Sequence, residues 1–490
     1  MKTPTKLVAL VASLLLLAIG CAKPSSIRRQ SAGNIAGESA APQNSASTKA
    51  AGSGKQALGT TAGGSNESHG APGGGTTTSG PARVPVPPVT QRPTVGVTAK
   101  TIRLGFIIVS NNDKVTSGYG VKGAAIGDTK AQVQAVVDDI NSRGGILGRK
   151  IDAKIRTLDA QADGPTAYSQ LCAGFTQDDK VFAVLAPWNP DPSFAPCLAK
   201  TGTFYISDAL LQYDAESFAQ YAPYVISGVF SSSRGSTALV TGLYKSGFFK
   251  GARVGIVRND NPIQERVYED YVKPTLTKFG VKVTAVFAAT GTTASNDAAS
   301  YMKAHSVDHV VFISAAGGTA LFFMNFAQSQ GYFPRYGIAT PDSPSFQAQN
   351  APYTQLRGAM GVGWVPAFDV LDSEGPPLTA NEKRCLAVHK KGGTDYGNSR
   401  VESAAVAMAW CDMAWLFEEV GIKAGHNLTK QAWATALAEL GRAHHTTMTF
   451  ATNFSPGGSD GAVSYRTLAF DESPSCRCFR YTGPPQTIGR

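Results

Sequence analysis

Aromatic residues are missing from residue 22 to about residue 97 of this 490-residue chain. Gly, Ser, Ala, Thr and Pro dominate that stretch, as in Ala71-Pro72-Gly73-Gly74-Gly75-Thr76-Thr77-Thr78-Ser79-Gly80, and Pro81–Pro93 is proline-rich. So little apolar surface cannot offset the entropy of ordering the backbone, which excludes a packed domain there. Residues 21–98 read as a flexible tether, stiffer at the proline end. Catalytic signatures are missing too: there is no Walker-type loop and no His-Glu-x-x-His, so an enzyme is not expected. His444 and His445 are adjacent rather than helically spaced and read as solvated histidines near a helix end. No cluster of histidine and cysteine completes four ligands, so neither a metal nor a cofactor is expected. A basic stripe interleaved with aromatics is lacking as well. Through residue 98 there are nine basic and two acidic residues, which places +7 of the formal +10 in that part. The excess charge therefore suits anionic lipid or cell wall and does not point to nucleic acid.

From Thr101 onward the pattern changes. Roughly 390 residues are too many for one hydrophobic core and enough for two lobes. Strand-like runs at Ile102–Val109, Ile151–Thr157, Val181–Ala186, Thr203–Ile206, Arg253–Val257, Lys282–Phe287, Val307–Ile313 and Arg335–Ala339 alternate with helical patterns. The helices include Pro165–Phe175, Ser193–Thr201, Ser233–Lys245, Gln264–Phe279, Asp297–Ala304, Thr319–Gln330, Arg400–Val420 and Lys430–Leu440. Continuous apolar strands between helices predict parallel sheets covered on both faces, an α/β fold.

The most specific segment is Ile140-Asn141-Ser142-Arg143-Gly144-Gly145-Ile146-Leu147-Gly148-Arg149-Lys150-Ile151. Ala131–Ile140 carries Val133, Val136, Val137 and Ile140 at helical spacing, Gly144-Gly145 ends that helix, and Ile151–Leu158 alternates as a strand. This dodecamer resembles the turn after the first helix of type I periplasmic binding proteins, in the branched-chain amino-acid and amide branch of ABC-transporter receptors. The resemblance implies two Rossmann-like lobes with parallel sheets joined by a three-segment hinge, near Tyr224–Ser231, Val362–Ala367 and Thr447–Phe454. Lobe 1 would comprise residues 99–226 and 367–449, and lobe 2 residues 227–366 and 450–490.

The amino terminus looks like a bacterial lipoprotein signal peptide. Lys2 and Lys6 precede the apolar run Leu7–Ile19, and Ala18-Ile19-Gly20-Cys21 follows, with alanine where the lipobox more often has leucine. The resemblance implies that residues 1–20 are removed, that Cys21 carries lipid, and that the protein works outside the cell membrane. Six further cysteines suit an oxidising compartment. A first-lobe disulfide of the family implies a Cys172–Cys197 bridge. Cys385 and Cys411 fall on two helices of one lobe, while Cys476 and Cys478 fall in the last strand; either each of these two sets pairs internally or the four cross over.

In open α/β sheets ligands lie at the carboxyl ends of the strands. The polar groups there are Ser110 and Tyr119, then Trp188, Asn189 and Ser193, then Ser207 and Asp208; in the second lobe they are Asn259, Asp260, Ser314 and Asp342. Carrying over the family's amino-acid site gives an incomplete set. Ser193 stands in the serine-rich segment that takes the carboxylate, Ser207-Asp208 in the segment that binds both ends of the amino acid, and Asp342 where an acid pairs with the ammonium. Ile263 stands where an aromatic is expected. Trp188 would stack on ligand or plug the lobe surface, Asp342 would pair with an ammonium or cap the helix after it, and Trp364 would line the cleft or pack the hinge. The resemblance implies a solute-binding lipoprotein that captures a small polar ligand, such as an amino acid or amide, by hinge closure. Its partners would be an ABC permease and, through Cys21, the bilayer, and it would work as a monomer. A sensor or scavenger of the same fold is the alternative.

Overall fold

The computed structural model describes residues 94–162, 164–187, 191–208, 213–313 and 318–489. The signal, Cys21 and tether calls lie outside them, as do Trp188, Asn189, Ser314 and the side chain of Tyr119.

The first sheet runs β2-β1-β3-β4-β5, from β1 (Thr101–Ser110), β2 (Lys150–Asp159), β3 (Ala183–Leu185), β4 (Phe204–Ile206) and β5 (Val225–Ile226). All its pairings are parallel. The central strands β3 and β4 are wholly buried, which is why they read as continuous apolar runs rather than alternating ones. Its early helices are α1 (Asn112–Tyr119), α2 (Thr129–Ser142), α3 (Gly164–Ala173), α4 (Phe194–Lys200) and α5 (Ala215–Gln220).

The turn between α2 and β2 explains its own residues. Asp128 caps α2 by accepting from the amides of Lys130 and Ala131, and Val133, Val136, Val137 and Ile140 form the buried stripe. Gly144 and Gly145 then take φ of 103° and 72°, left-handed backbone that glycine adopts without a Cβ penalty. Asn141 brackets the returning strand: its Nδ2 donates to the Ile151 carbonyl at 3.0 Å and its Oδ1 accepts from the Ile151 amide at 2.7 Å. Ile146 is buried against Gly421, where a Cβ would approach its Cγ2 to 2.9 Å.

The second sheet carries β6 (Val254–Arg258), β7 (Val283–Ala288), β8 (His309–Ile313), β9 (Arg335–Ala339), β10 (Met360–Gly363), β11 (Ser464–Asp471) and β12 (Cys478–Tyr481) in the order β12-β11-β10-β9-β8-β6-β7, with the short β13 (Gln486–Thr487) beside β11. It is parallel from β7 to β10 and antiparallel from β10 to β12. Its helices are α6 (Ser232–Lys245), α7 (Pro262–Arg266), α8 (Lys273–Lys278), α9 (Gly291–Ala304), α10 (Gly318–Ser329), α11 (Pro344–Asn350), α12 (Tyr353–Leu356) and α13 (Pro366–Asp369). The late helices α14 (Ala380–Lys391), α15 (Ser403–Ala424) and α16 (Lys430–Ala438) return to the first sheet, where α15 packs on α2 and β3. Phe182, Phe204, Phe417 and Trp433 meet there, with Trp433 centred 4.6 Å from Phe204 and 5.5 Å from Phe417.

The chain thus forms two lobes and crosses between them three times, through residues 227–231, 364–379 and 439–463. In the last crossing Thr447–Phe454, expected from the resemblance as a hinge segment, is a loop with isolated bridges at Thr452 and Phe454. The Thr446 hydroxyl takes the amides of Met448 and Thr449, and the Thr447 hydroxyl donates to the Met408 carbonyl. Side-chain bonds of this kind compete with a ladder. Disulfides join Cys172 with Cys197, Cys385 with Cys411, and Cys476 with Cys478. Among the described residues no helix is long and apolar enough to cross a membrane.

Candidate functional site

A crevice opens where the first crossing meets the carboxyl ends of the second sheet's strands. Phe230, Ser231, Ser232, Gly235, Ser236 and Leu239 line it from the crossing and α6, and Phe312, Ile313, Ala339, Pro341, Asp342 and Trp364 from the strand ends. The crevice is narrow: water-sized centres have about 20 Å³ in it, room for about one water molecule. Trp364 is buried, sets its ring 5.3 Å from Phe230, and donates its amide to Thr340 Oγ1 at 2.9 Å. Gly235 makes room for it, since a Cβ there would sit 2.9 Å from the indole. Trp364 therefore lines the crevice and packs the hinge at once.

The two outer crossings are tied together beside the crevice. Ser227 donates its amide to the Ser459 carbonyl at 2.8 Å, and Gly461 returns one to Ser227 at 2.7 Å. Asp460 Oδ2 accepts from the Ser231 amide at 3.1 Å and pairs with Arg234 at 3.0 Å. The Arg234 guanidinium in turn lies 4.8 Å from the Phe230 ring centre, a cation–π contact sheltered from water.

Behind this runs a buried chain of charge. Asp208, at the end of β4, accepts from the Gly228 amide in the first crossing. A Cβ on Gly228 would lie 2.8 Å from Asp208 Oδ1 and 2.9 Å from Asp412 Oδ2, so only glycine lets the two carboxyls close around it. Asp412 also accepts from the Thr447 amide in the third crossing. His444 sits at 3.3 Å from Asp412 and 2.7 Å from Glu419, and its side chain is fully buried. Burial, then the Asp412 charge, pushes the Asp208 carboxyl well above the usual range. Burial opposes ionisation of Asp412, but the His444 charge holds it below its ordinary value. Burial likewise works against a charged His444, yet Asp412 and Glu419 raise it to about 10. Asp208 favours its neutral form and Asp412 its ionised form, so the clamp holds a protonated imidazole against the Asp412 carboxylate. His444 is thus not the solvated residue its position near a helix end suggested.

The other strand-end residues divide. Asp208 faces the hinge rather than the crevice, because its carboxyl serves Gly228 and Asp412. Asp342 lines the crevice, but its Oδ2 accepts from the Ala339 amide at 2.8 Å and its carbonyl from Gln347 at 2.8 Å. The turn that displays this acid also uses it, which answers against a bare ammonium partner. Ser193 is exposed and turned to Asp191, whose Oδ1 takes its amide at 2.9 Å. Asn259 reaches Thr319 Oγ1 at 3.2 Å and so braces β6 against α10. Asp260 is exposed, Ser207 is wholly buried at the end of β4, and Ser110 is half-buried at the end of β1. Ile263 belongs to the core. None of these lines the crevice except Asp342. Phe230 and Ser231, which do, read from sequence only as hinge.

Elsewhere, among the described residues, further contacts join the lobes. The Asn350 side chain takes the Lys122 amide at 2.7 Å and donates to the Lys122 carbonyl at 2.9 Å. Arg266 of α7 pairs at 2.8 Å with Asp214, a buried acid that also caps α5 through the Ser217 amide.

A family model described as periplasmic binding protein matches residues 116–466. None of the curated proteins matches the chain. Among solved structures, a solute-binding protein of an R. palustris ABC transporter in complex with 4-hydroxybenzoate aligns with a TM-score of 0.58 at 15% identity, over 79% of this chain and 97% of its own. A branched-chain amino-acid ABC transporter protein from Thermus thermophilus with bound valine aligns with a TM-score of 0.58 at 15% identity, over 79% and 97%. A fatty-acid ABC transporter substrate-binding protein from Thermomonospora curvata aligns with a TM-score of 0.55 at 16% identity, over 82% and 95%.

Proposed function

The chain belongs to the periplasmic binding protein family, and from that premise we propose that it is a lipid-anchored solute receptor of an ABC transporter. It would capture a small carboxylate with an aromatic or branched apolar body between residues 99–226 with 367–449 and residues 227–366 with 450–490. The observation that carries the ligand class is the lining that residues 227–366 would present to a ligand held against the other lobe once the narrow crevice opens: Phe230, Leu239, Phe312, Ile313 and Trp364 offer apolar walls, while Ser231, Ser232 and Ser236 supply hydroxyls. A buried apolar wall rewards an apolar ligand body, and a few placed hydroxyls orient its polar end. The engagement of Asp342 in its own turn argues against an α-ammonium as the main anchor. The valine and 4-hydroxybenzoate held by similar structures share a carboxylate. The ligand leaves unchanged, for delivery to the permease, and Cys21 holds the receptor at the membrane as a monomer.

Closure follows from ligand bridging two lobes on three connectors. Small-angle scattering of the protein with saturating leucine, valine or 4-hydroxybenzoate tests it. One of these compounds should lower the radius of gyration, and no change with any small carboxylate would defeat the proposal. The Asn350→Ala variant loses two hydrogen bonds to Lys122, worth about 1 kcal/mol each. It should therefore sit more open than the parent before ligand is added, by roughly tenfold or more in the open-to-closed ratio.

A further inference from the structure

Two of the three disulfides fasten distant parts of the first lobe: Cys172–Cys197 joins α3 to α4, and Cys385–Cys411 joins α14 to α15. They span 25 and 26 residues, whereas Cys476–Cys478 spans 2. A bridge stabilises mainly by closing a loop in the unfolded chain, so one that encloses a single residue contributes least. It fastens nothing else either. The β11–β12 ladder already pairs Asp471 with Cys478 and Phe470 with Phe479, and the tip of that hairpin is held by the amides of Cys476 and Arg477, both donating to the Ser473 carbonyl at 3.0 Å. The bridge lies on the last strand of the sheet path. Cys476 is partly exposed in the hairpin tip, Cys478 is buried, and both Cys385 and Cys411 are fully buried.

The surroundings form a small polar site. Both sulfurs and a carboxylate oxygen of Glu374 lie within 4.8 Å of one another. Glu374 is paired with Arg480 at 2.7 Å, so a thiolate formed here does not face an uncompensated carboxylate. The Arg477 guanidinium is held 4.6 Å from the Tyr353 ring centre. Glu374 belongs to the second interlobe crossing, and so does Asp369, whose Oδ2 accepts from Tyr481 Oη at 2.8 Å.

We propose that Cys476–Cys478 is a thiol-exchange site, opened and closed by low-molecular-weight thiols while the fold stays intact. A thiolate attacks the accessible Cys476 Sγ, the Cys476–Cys478 bond breaks, and Cys478 leaves as a thiolate that takes a proton from solvent. A second thiolate attacks the external sulfur of the mixed disulfide, releasing Cys476, which is protonated in turn. The protein disulfide gains two electrons and two protons, and two thiols become one small disulfide.

The test treats the native full chain with graded reduced glutathione, quenches with acid and N-ethylmaleimide, and maps the labels by peptide mass spectrometry. Cys476 and Cys478 should label at glutathione concentrations at least about tenfold below those that open either other bridge, because Cys476 is reached in the folded state whereas Cys172, Cys385 and Cys411 are fully buried. Given oxidised glutathione instead, the Cys478→Ser variant should carry glutathione on Cys476, its thiolate displacing one reduced glutathione per adduct, and the melting temperature of the reduced parent should stay within a few degrees of the oxidised protein, as for a bridge of small stabilising effect. Simultaneous opening of all three bridges, or labelling of Cys476 and Cys478 only under denaturing conditions, would overturn the proposal. So would absence of the adduct in a Cys478→Ser variant that remains folded by circular dichroism.

Discussion

Replacing His444 with leucine is expected to lower folding stability by about 3–5 kcal/mol, because it leaves the buried Asp412 carboxylate without its counter-charge. The His444 side chain is fully buried, at 2.7 Å from Glu419 and 3.3 Å from Asp412. Leucine fills much of the volume, so the loss is electrostatic rather than a cavity effect. Asp412 then sits beside Asp208 with nothing to hold it ionised, and its grip on the Thr447 amide weakens. The third crossing is therefore the element expected to loosen first. A urea denaturation series measures the loss, and a variant within 1 kcal/mol of the parent would show that the cluster is not a clamp.

The same histidine sets the alkaline limit. Its folded value is about 10 against an ordinary 6.5, so the native state keeps a proton that the unfolded chain releases. Its contribution is complete below about pH 6.5 and fades as the pH rises towards 10, at up to about 1.4 kcal/mol per pH unit. Asp369, raised by burial to about 8, slopes the same way up to that pH. Lys430, lowered by burial to about 8, acts in the opposite sense above it. The difference between parent and variant isolates the histidine: the parent's midpoint should fall more steeply than that of His444→Leu between pH 7 and 9.

Gly145→Ala is the second large expected effect. An alanine Cβ there would lie 2.1 Å from the Arg149 carbonyl oxygen, in a residue with φ of 72°. Left-handed backbone costs a non-glycine residue about 1–2 kcal/mol, and a clash with backbone cannot be relieved by a rotamer change. The whole turn must shift, so a loss of about 2–4 kcal/mol is expected. Gly144 supplies the control: its φ is 103°, but its Cβ would meet nothing within 4 Å. Gly144→Ala should therefore cost only the backbone term, about 1–2 kcal/mol. Melting curves of the two variants compare them, and equal losses would remove the Arg149 contact from the explanation.

That turn also marks what the sequence discloses. A glycine pair with Asn141 before it and a strand after it states a local geometry, and local geometry is written in neighbouring residues. The strands β6, β8 and β9 were legible for a similar reason: each is a short apolar run between helices with a clear stripe. Strand β11 was not, because it carries polar residues such as Arg466 and lacks the continuous apolar signature, whereas the last strand was read at Cys476 and Cys478. The clamp was hidden for a different reason. Asp208, Asp412 and His444 come from the end of β4, the middle of α15 and a loop, and each alone resembles a solvated polar residue. Only the three-dimensional meeting buries them and reverses their protonation. At the crevice, Trp364 was visible as an aromatic near a hinge, while Phe230 and Ser231 looked like hinge alone. The strand-end rule points to the end of the second sheet where the crevice lies without telling which side chains face inward, since Asp208 and Asp342 are both drawn into local hydrogen bonds.

Ligand capture is the central claim, and ligand-induced stabilisation tests it most directly. The protein is unfolded, freed of anything it carries, refolded with its disulfides kept, and melted against amino acids, amides, ureas, sugars and aromatic or branched carboxylates. A ligand that binds only the native state raises the melting temperature saturably, by about 2.7 kcal/mol of added stability at a hundredfold excess over the dissociation constant. The account predicts such a rise with at least one carboxylate of apolar body, much reduced in Trp364→Ala. A flat response across the panel, with no small molecule recovered from the protein before refolding, would contradict it.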